Sequence, residues 1–311
     1  MDEVKDLDWD AYRAVVCYRC SREDVVCKVV EQAKKTGLNV YYDIDDLIFD
    51  YERISYLHFL TGSEYKDFKK TTEQIHSCME LCDGYFTSTD TLAGEIRREF
   101  PGKPVVINRN CASMEMQILS HDAVEQVEKD PEHIFIGYFS GSKTHDQDFE
   151  VAEEALLEVM KEHPEVRLKL VGVLSDRKME KFGNKVEKLP FMDWKQLPSV
   201  MAGIDINLMP LEDSIFHCSK SENKWMEAAL VKVPSVMSRN REMKGVIENG
   251  VDGWLCSDKE EWKKRSTTLI EEKTARVQMG EKAHKKVMCQ YVTQNTGKDA
   301  REELLCSEKY S

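Results

Sequence analysis

The chain alternates between two hydrophobic rhythms. Short apolar runs, such as AVVCYR at Ala14–Arg19 and PVVIN at Pro104–Asn108, mark strands, and VRLKLVGV at Val166–Val173 reads as a strong strand. Between them, apolar residues recur at helical spacing, as in Val25, Val26, Val29, Val30 and Ala33, with Gly37 placed to end that helix. Residues 1–130 then give strands at Ala14–Arg19, Leu38–Tyr42, Tyr85–Ser88 and Pro104–Asn108. Helices are predicted at Asp24–Thr36, Tyr65–Leu81, Asp90–Phe100 and, as a connector, Ala112–Lys129, after which Asp130-Pro131 breaks the chain. Residues 131–311 give strands at His133–Phe139, Val166–Val173, Val186–Leu189, Ile204–Met209, Pro234–Ser238 and Gly253–Cys256. Helices fall at Glu150–His163, Asp193–Ala202, Ser221–Val231 and Glu242–Asn249, with a charged helical tail from Lys259 to about Met288. Strand–helix alternation implies parallel sheets with crossover helices on both faces. The predicted fold is α/β: two doubly wound domains, 1–130 and 131–311, facing a cleft. Ligands of such sheets bind beyond the carboxyl ends of the strands, so chemistry is sought in the loops that follow them.

Composition narrows the classes. With 44 Lys+Arg against 57 Asp+Glu, the net charge of -13 argues against non-specific nucleic-acid binding but leaves room for a local basic pocket. No run approaches the ~20 apolar residues of a transmembrane helix, and the acidic N-terminus lacks the apolar core of a secretory signal, so a cytoplasmic location is expected. Ten cysteines are spread over the chain and read as free thiols in a reducing compartment. Cys17-x-x-Cys20 and Cys78-x-x-x-Cys82 would suffice for a four-thiolate zinc site by count alone. Cys17 and Cys20 are expected on opposite faces of a strand and its exit, however, and Cys78 and Cys82 are at ordinary core spacing on a helix.

Three constellations carry candidate chemistry. Ser140-Gly141-Ser142-Lys143-Thr144-His145 follows a strand and precedes a helix, where small residues admit a phosphate and Lys143 and His145 add donors; a plain capped turn is the alternative. His217-Cys218-Ser219-Lys220-Ser221-Glu222-Asn223-Lys224 opens a predicted helix. Ser219 and Ser221 can cap it, and Lys220 and Lys224, four apart, oppose the helix dipole unless an anion binds there. Glu227 lies one turn further in, placed for a ribose diol; the alternative is an amphipathic helix with solvated lysines. Asp43-Ile44-Asp45-Asp46 ends a strand and suits either a loop that binds substrate hydroxyls or a divalent metal. Trp194 and Trp225 are expected in the core. There is no G-x-G-x-x-G and no P-loop pattern.

Taken in order, these segments resemble the nucleotide-sugar-binding domain of glycosyltransferase family 4, the retaining GT-B group. The pieces are IGYFSGSKTHDQDF at 136–149, VRLKLVGVL at 166–174, IDINLMPL at 204–211, KSENKWMEAALVKVPSVMS at 220–238 and GVIENGVDGWLC at 245–256. In the first half, VYYDIDDLIFD at 40–50 and GYFTSTDTL at 84–92 look like a bacterial subgroup associated with surface polysaccharide. The resemblance implies two Rossmann-like domains and a UDP-, GDP- or dTDP-sugar donor with no obligatory metal. The acceptor would be a glycan or lipid-linked molecule, with peripheral contact at the inner membrane face. Glu227 matches the second glutamate of the family's E-x7-E motif, which contacts the ribose. The first would fall at Ser219, a departure for which Glu222 is the nearest substitute. Gly141, Ser142, Lys143, His145, Lys220 and Lys224 are then donor-binding, Glu222, Ser219 and Lys224 catalytic, and Asp43, Asp45 and Asp46 acceptor-side.

The family begins with a strand and a Gly-rich loop, whereas this sequence opens on what resembles a later strand. A shortened first domain is therefore expected, completed by a homodimer or a second glycosyltransferase subunit. The leading expectation is a retaining transferase; the others are a non-catalytic or partner-dependent subunit and a nucleotide-sugar epimerase of GT-B shape.

Overall fold

A computed structural model describes residues 7–54, 62–141, 146–172, 174 and 178–306. It divides into two compact units, each assembled from more than one stretch of chain. The first comprises Met1–Arg109, Ser214–Ser221 and Gly297–Ser311, and the second Asn110–Asp213 and Glu222–Thr296.

The first unit carries β1 (Ala14–Tyr18), β2 (Asn39–Ile44), β3 (Gly84–Thr87) and β4 (Val105–Ile107) in a parallel sheet of order β1-β2-β3-β4. Its helices are α1 (Asp24–Lys35), α2 (Tyr51–Ile54), α3 (Gly62–Glu80) and α4 (Asp90–Glu99). One face of β2 points Val40, Tyr42 and Ile44 into a core with Val30, Ala33, Ile75, Met79, Leu92 and Ile96. On the other face Tyr41 stacks on Phe86 at 5.0 Å between ring centroids, and its hydroxyl donates to Glu303 at 3.2 Å.

The second unit holds β5 (Ile134–Ser140), β6 (Val166–Gly172), β7 (Val186–Leu189), β8 (Ile206–Met209), β9 (Ser235–Ser238) and β10 (Trp254–Cys256). Their order, β7-β6-β5-β8-β9-β10 and all parallel, is the 3-2-1-4-5-6 order of nucleotide-binding doubly wound sheets. Alternate residues serve opposite layers. Ile136 and Tyr138 of β5 meet Phe149, Ala152 and Leu156, while Phe139 meets Ala123, Met201 and Ala202. The crossover helices are α5 (Met114–Gln126), α6 (Asp146–Glu162), α7 (Leu197–Ala202), α9 (Asn223–Leu230), α10 (Arg241–Val246), α11 (Lys259–Glu271) and α12 (Lys273–Gln290). The four-residue α8 (Ile215–Cys218) and the tail helix α13 (Lys298–Cys306) belong to the first unit.

Three expectations are corrected. The first unit ends at Arg109 rather than at 130, because α5 packs on α7 and α9 within the second. The tail returns to the first unit through α13, whose Glu303 accepts from Tyr41. Trp194 is 40% exposed, unlike the fully buried Trp225, because α7 starts only at Leu197 and leaves Trp194 in the loop. Among the described residues no helix is long and apolar enough to cross a membrane.

The end of β5 is shaped by Gly172, which has φ +98° and whose absent Cβ would fall 2.0 Å from the Ser140 carbonyl oxygen. Gly172→Ala is expected to lower stability by about 2 kcal/mol or more, through strain and displacement of the β5–β6 register, as read by urea unfolding.

Candidate functional site

The sheet order of the second unit reverses at β5, which pairs with β6 on one side and β8 on the other. That reversal is where open α/β sheets bind ligands. The pairings differ in length: β5 and β6 stay paired to Ser140↔Gly172, but β5 and β8 pair only to Tyr138↔Leu208. The β8 exit is fixed on both flanks, since Ser238 Oγ exchanges hydrogen bonds with the amide and carbonyl of Leu211, and the Glu212 amide donates to the buried Asp148.

Helix α9 brings a cation to this point. Asn207 on β8 donates from Nδ2 to the Lys224 carbonyl at 3.3 Å and to Ser235 Oγ at 3.0 Å, tying the first turn of α9 to β8. The Lys224 ammonium lies 5.3 Å from the centroid of the buried Tyr138 ring on β5. Trp225, Met226 and Leu230 of α9 pack in one layer while Tyr138 packs in the other. Lys224 thus reaches across the strand ends at the switch point. One turn on, Glu227 faces Met116 and Ser120 of α5 and Leu197, Pro198 and Met201 of α7 around a void of about 10 Å³, room for one water at most. Burial pushes its carboxyl up to about 7, with the Lys224 charge pulling the other way.

Other expected site residues lie elsewhere or in other roles. Gly141 is exposed just past β5, at the mouth of this site. Ser142, Lys143 and His145 lie outside the described residues. The predicted helix Ser221–Val231 begins only at Asn223, so Lys220 precedes α9 and shares no helical face with Lys224. Lys220 belongs to the first unit, its ammonium 4.9 Å from the Phe216 ring. Neither Ser219 nor Ser221 caps α9, whose N-cap is the buried Glu222 with no side-chain cap bond. Ser219 instead closes α8: its buried hydroxyl donates to the Ile215 carbonyl at 2.8 Å, and its own carbonyl accepts from Thr89. The reason is an additional short helix, started by Ser214 capping the His217 amide and anchored by Phe216 in the first core.

In the first unit, Asp43, Asp45 and Asp46 cluster at the end of β2, but Arg19 claims two of them. Its Nε donates to Asp45 at 2.6 Å and a terminal nitrogen to Asp46 at 2.7 Å. Burial first, and then Asp45, pushes the Asp43 carboxyl up to about 6. Among the described residues no group of three or more His, Cys, Asp or Glu is disposed to hold a metal ion. Arg19 carried no sequence signal beyond a basic residue at a strand exit. A further cavity in this unit, of about 290 Å³, is lined by Asp50, Glu73, His76 and Arg98, residues that sequence spacing did not connect. A cavity of about 250 Å³ also lies at the amino ends of β8 and β9, away from the switch point. There Lys129 and Arg276 are already turned toward Asp205.

The two parallel α/β units have the fold of GT-B glycosyltransferases, as comparison with solved structures shows. A glycosyltransferase from Rickettsia africae ESF-5 aligns with TM-score 0.67 at 12% identity, over 97% of this chain and 79% of that one. Anabaena Alr3699/HepE, solved in complex with UDP, aligns with TM-score 0.66 at 15% identity, over 97% and 82%. WaaG, a glycosyltransferase involved in lipopolysaccharide biosynthesis, aligns with TM-score 0.62 at 14% identity, over 91% and 82%. Residues 130–272 match the family model described as glycosyl transferases group 1. Among curated proteins, none matches the sequence significantly.

Glu227 makes stability depend on pH. Its folded pKa lies above the unfolded value near 4.5, so its favourable contribution is complete below about 4.5 and is lost as pH rises through about 7. Glu227→Gln is expected to match the wild type near pH 5 and to exceed it by about 2 kcal/mol near pH 8 in urea unfolding. Equal stabilities at both pH values would show that the carboxyl titrates normally.

Proposed function

We propose that the chain is a retaining, nucleotide-sugar-dependent glycosyltransferase that acts on a glycan or lipid-linked acceptor in surface-polysaccharide synthesis. The observation that carries this reading is Lys224, held by Asn207 over Tyr138 at the switch point of a 3-2-1-4-5-6 sheet. A cation there, beside the start of α9 and the exposed Gly141, suits a diphosphate. The match of residues 130–272 to group 1 transferases supports the same assignment.

In this reading Lys224 neutralises the charge that develops on the departing nucleoside diphosphate, and it does so without reorganisation because its first turn is already fixed. The loop after β5, with Lys143 and His145, adds donors to the same diphosphate. Glu227 takes the ribose, and Glu222 at the N-cap of α9 faces the sugar end. Ser219 drops out of the catalytic set because its hydroxyl is committed to Ile215. Lys220 is assigned no diphosphate contact. Asp43, Asp45 and Asp46 belong to the acceptor side, where Arg19 keeps two of the three carboxylates paired in the absence of substrate hydroxyls. No step requires a protein-bound metal, and the chemistry is charge stabilisation and positioning.

A second reading, a non-catalytic or partner-dependent subunit, is favoured by one observation: a serine engaged in capping α8 stands where the family has its first glutamate.

Calorimetry with UDP, GDP and dTDP separates the cases. The wild type is expected to bind one of them with micromolar to submillimolar affinity, and Lys224→Ala to weaken it about tenfold or more, the loss of one charge-assisted contact. Failure of all three to bind at millimolar concentration would overturn the donor site. Binding without transfer or donor hydrolysis selects the second reading, and interconversion of the donor sugar selects an epimerase. Where transfer occurs, an NMR coupling constant of the new anomeric proton that matches the donor's anomer confirms retention.

A further inference from the structure

The cavity at the amino ends of β8 and β9 lies wholly within the second unit, with Val127 at the end of α5, Val231 at the end of α9 and Val277 of α12 among its walls. Four cations line it, Lys129, Lys232, Lys273 and Arg276, against two carboxylates, Asp205 and Glu281. This local positive excess runs against the net charge of -13. Asp205 Oδ1 lies 3.6 Å from the Lys129 ammonium and 3.7 Å from Arg276 Nε, so one oxygen of a buried carboxylate serves two cations. Lys273 forms no ion pair among the described residues. Lys273 and Arg276 also occupy the first turn of α12, which holds no acidic residue and no side-chain cap, and whose dipole favours an anion. Lys232 is strained into place. It follows α9 with φ +59°, in the left-handed region where glycine is the usual residue. A Cβ at Gly280 would fall 2.0 Å from the Lys232 carbonyl oxygen, so α12 packs directly on this turn. The Lys232–Glu281 ion pair, 3.0 Å long but exposed, offsets little of the strain. Strain kept without a stabilising return points to a use for the side chain.

We propose that this cavity binds a compact organic carboxylate, its anionic head among Lys129, Lys232 and Lys273 and its apolar body against the valines. The lysines disfavour a neutral ligand, and the valines add nothing for a bare inorganic ion. At about 250 Å³ the cavity lies near the lower end of small-molecule pockets, roughly 300–1,000 Å³, so it suits a short body rather than a full lipid chain. The head supplies the counter-charge that Asp205 divides between two cations. The body takes Val277, 51% exposed, out of water. The site lies at the opposite ends of the strands from Lys224 and does not depend on the transferase reading.

The test titrates hexanoate into the full-length protein by calorimetry and saturation-transfer NMR, with acetate, hexan-1-ol and hexylammonium as controls. Hexanoate is expected to bind saturably in the millimolar range or tighter, and each control about tenfold or more weakly. Lys273→Glu is expected to weaken hexanoate about tenfold without lowering the urea midpoint, since this side chain has no ion pair to lose. Lys232→Gly is expected to weaken it about threefold, again without lowering the midpoint, because glycine accepts the left-handed turn. Saturating UDP is expected to leave hexanoate bound. Absence of saturable binding, equal binding of hexan-1-ol or hexylammonium, undiminished binding in Lys273→Glu, or displacement by UDP would overturn the site. A lower midpoint with unchanged binding in Lys232→Gly would assign that lysine to the fold and overturn its part in the site.

Discussion

Every strand in both sheets runs parallel to its neighbours, and a sheet built in this way must be buried on both faces. That requirement organises the rest of the molecule. It forces strands to be apolar at consecutive rather than alternate positions, as in the wholly buried runs of β3, β8 and β9. It also demands helices on both sides. In the first unit Tyr41 and Phe86 face away from the main core, and α13, drawn from the far end of the chain, supplies Glu303 to the Tyr41 hydroxyl. In the second unit α5 is recruited to the layer of α7 and α9, which pulls residues 110–126 away from the domain that precedes them.

The strands were legible in the sequence from short segments dominated by apolar residues. AVVCY is a short apolar run, VRLKLVG and INLM keep a majority of apolar positions around Arg167, Lys169 and Asn207, and Val186–Leu189 was placed to the residue. Helices were legible where an apolar stripe and a stop signal coincided, as at Val30, Ala33 and Gly37 in α1. Legibility failed where tertiary contacts outweigh local pattern. A four-residue helix held by a Ser214 cap and by Phe216 in a distant core has no periodicity to detect, so α8 was missed and Ser219 and Lys220 were misplaced with it. Likewise nothing in the spacing of Arg19 reveals that it turns into the left-handed region and reaches two carboxylates from β2.

The candidate site concentrates opposed electrostatic demands on one turn of helix. Lys224 sits at the start of α9, where the helix dipole disfavours a cation, and Glu227 sits three residues on among apolar side chains, where water is too scarce to favour a carboxylate.

The chain leaves and re-enters the first unit twice, at 214–221 and at 297 onward. A nascent chain therefore cannot finish its first unit first. At about 5–20 residues per second, the segment that covers Tyr41 follows Arg109 from the ribosome only after roughly ten to forty seconds. During that interval one face of a parallel sheet waits without its cover. Synthesis thus leaves the molecule dependent on the order in which its parts emerge, and a gene cut near residue 130 would separate pieces that mature only together.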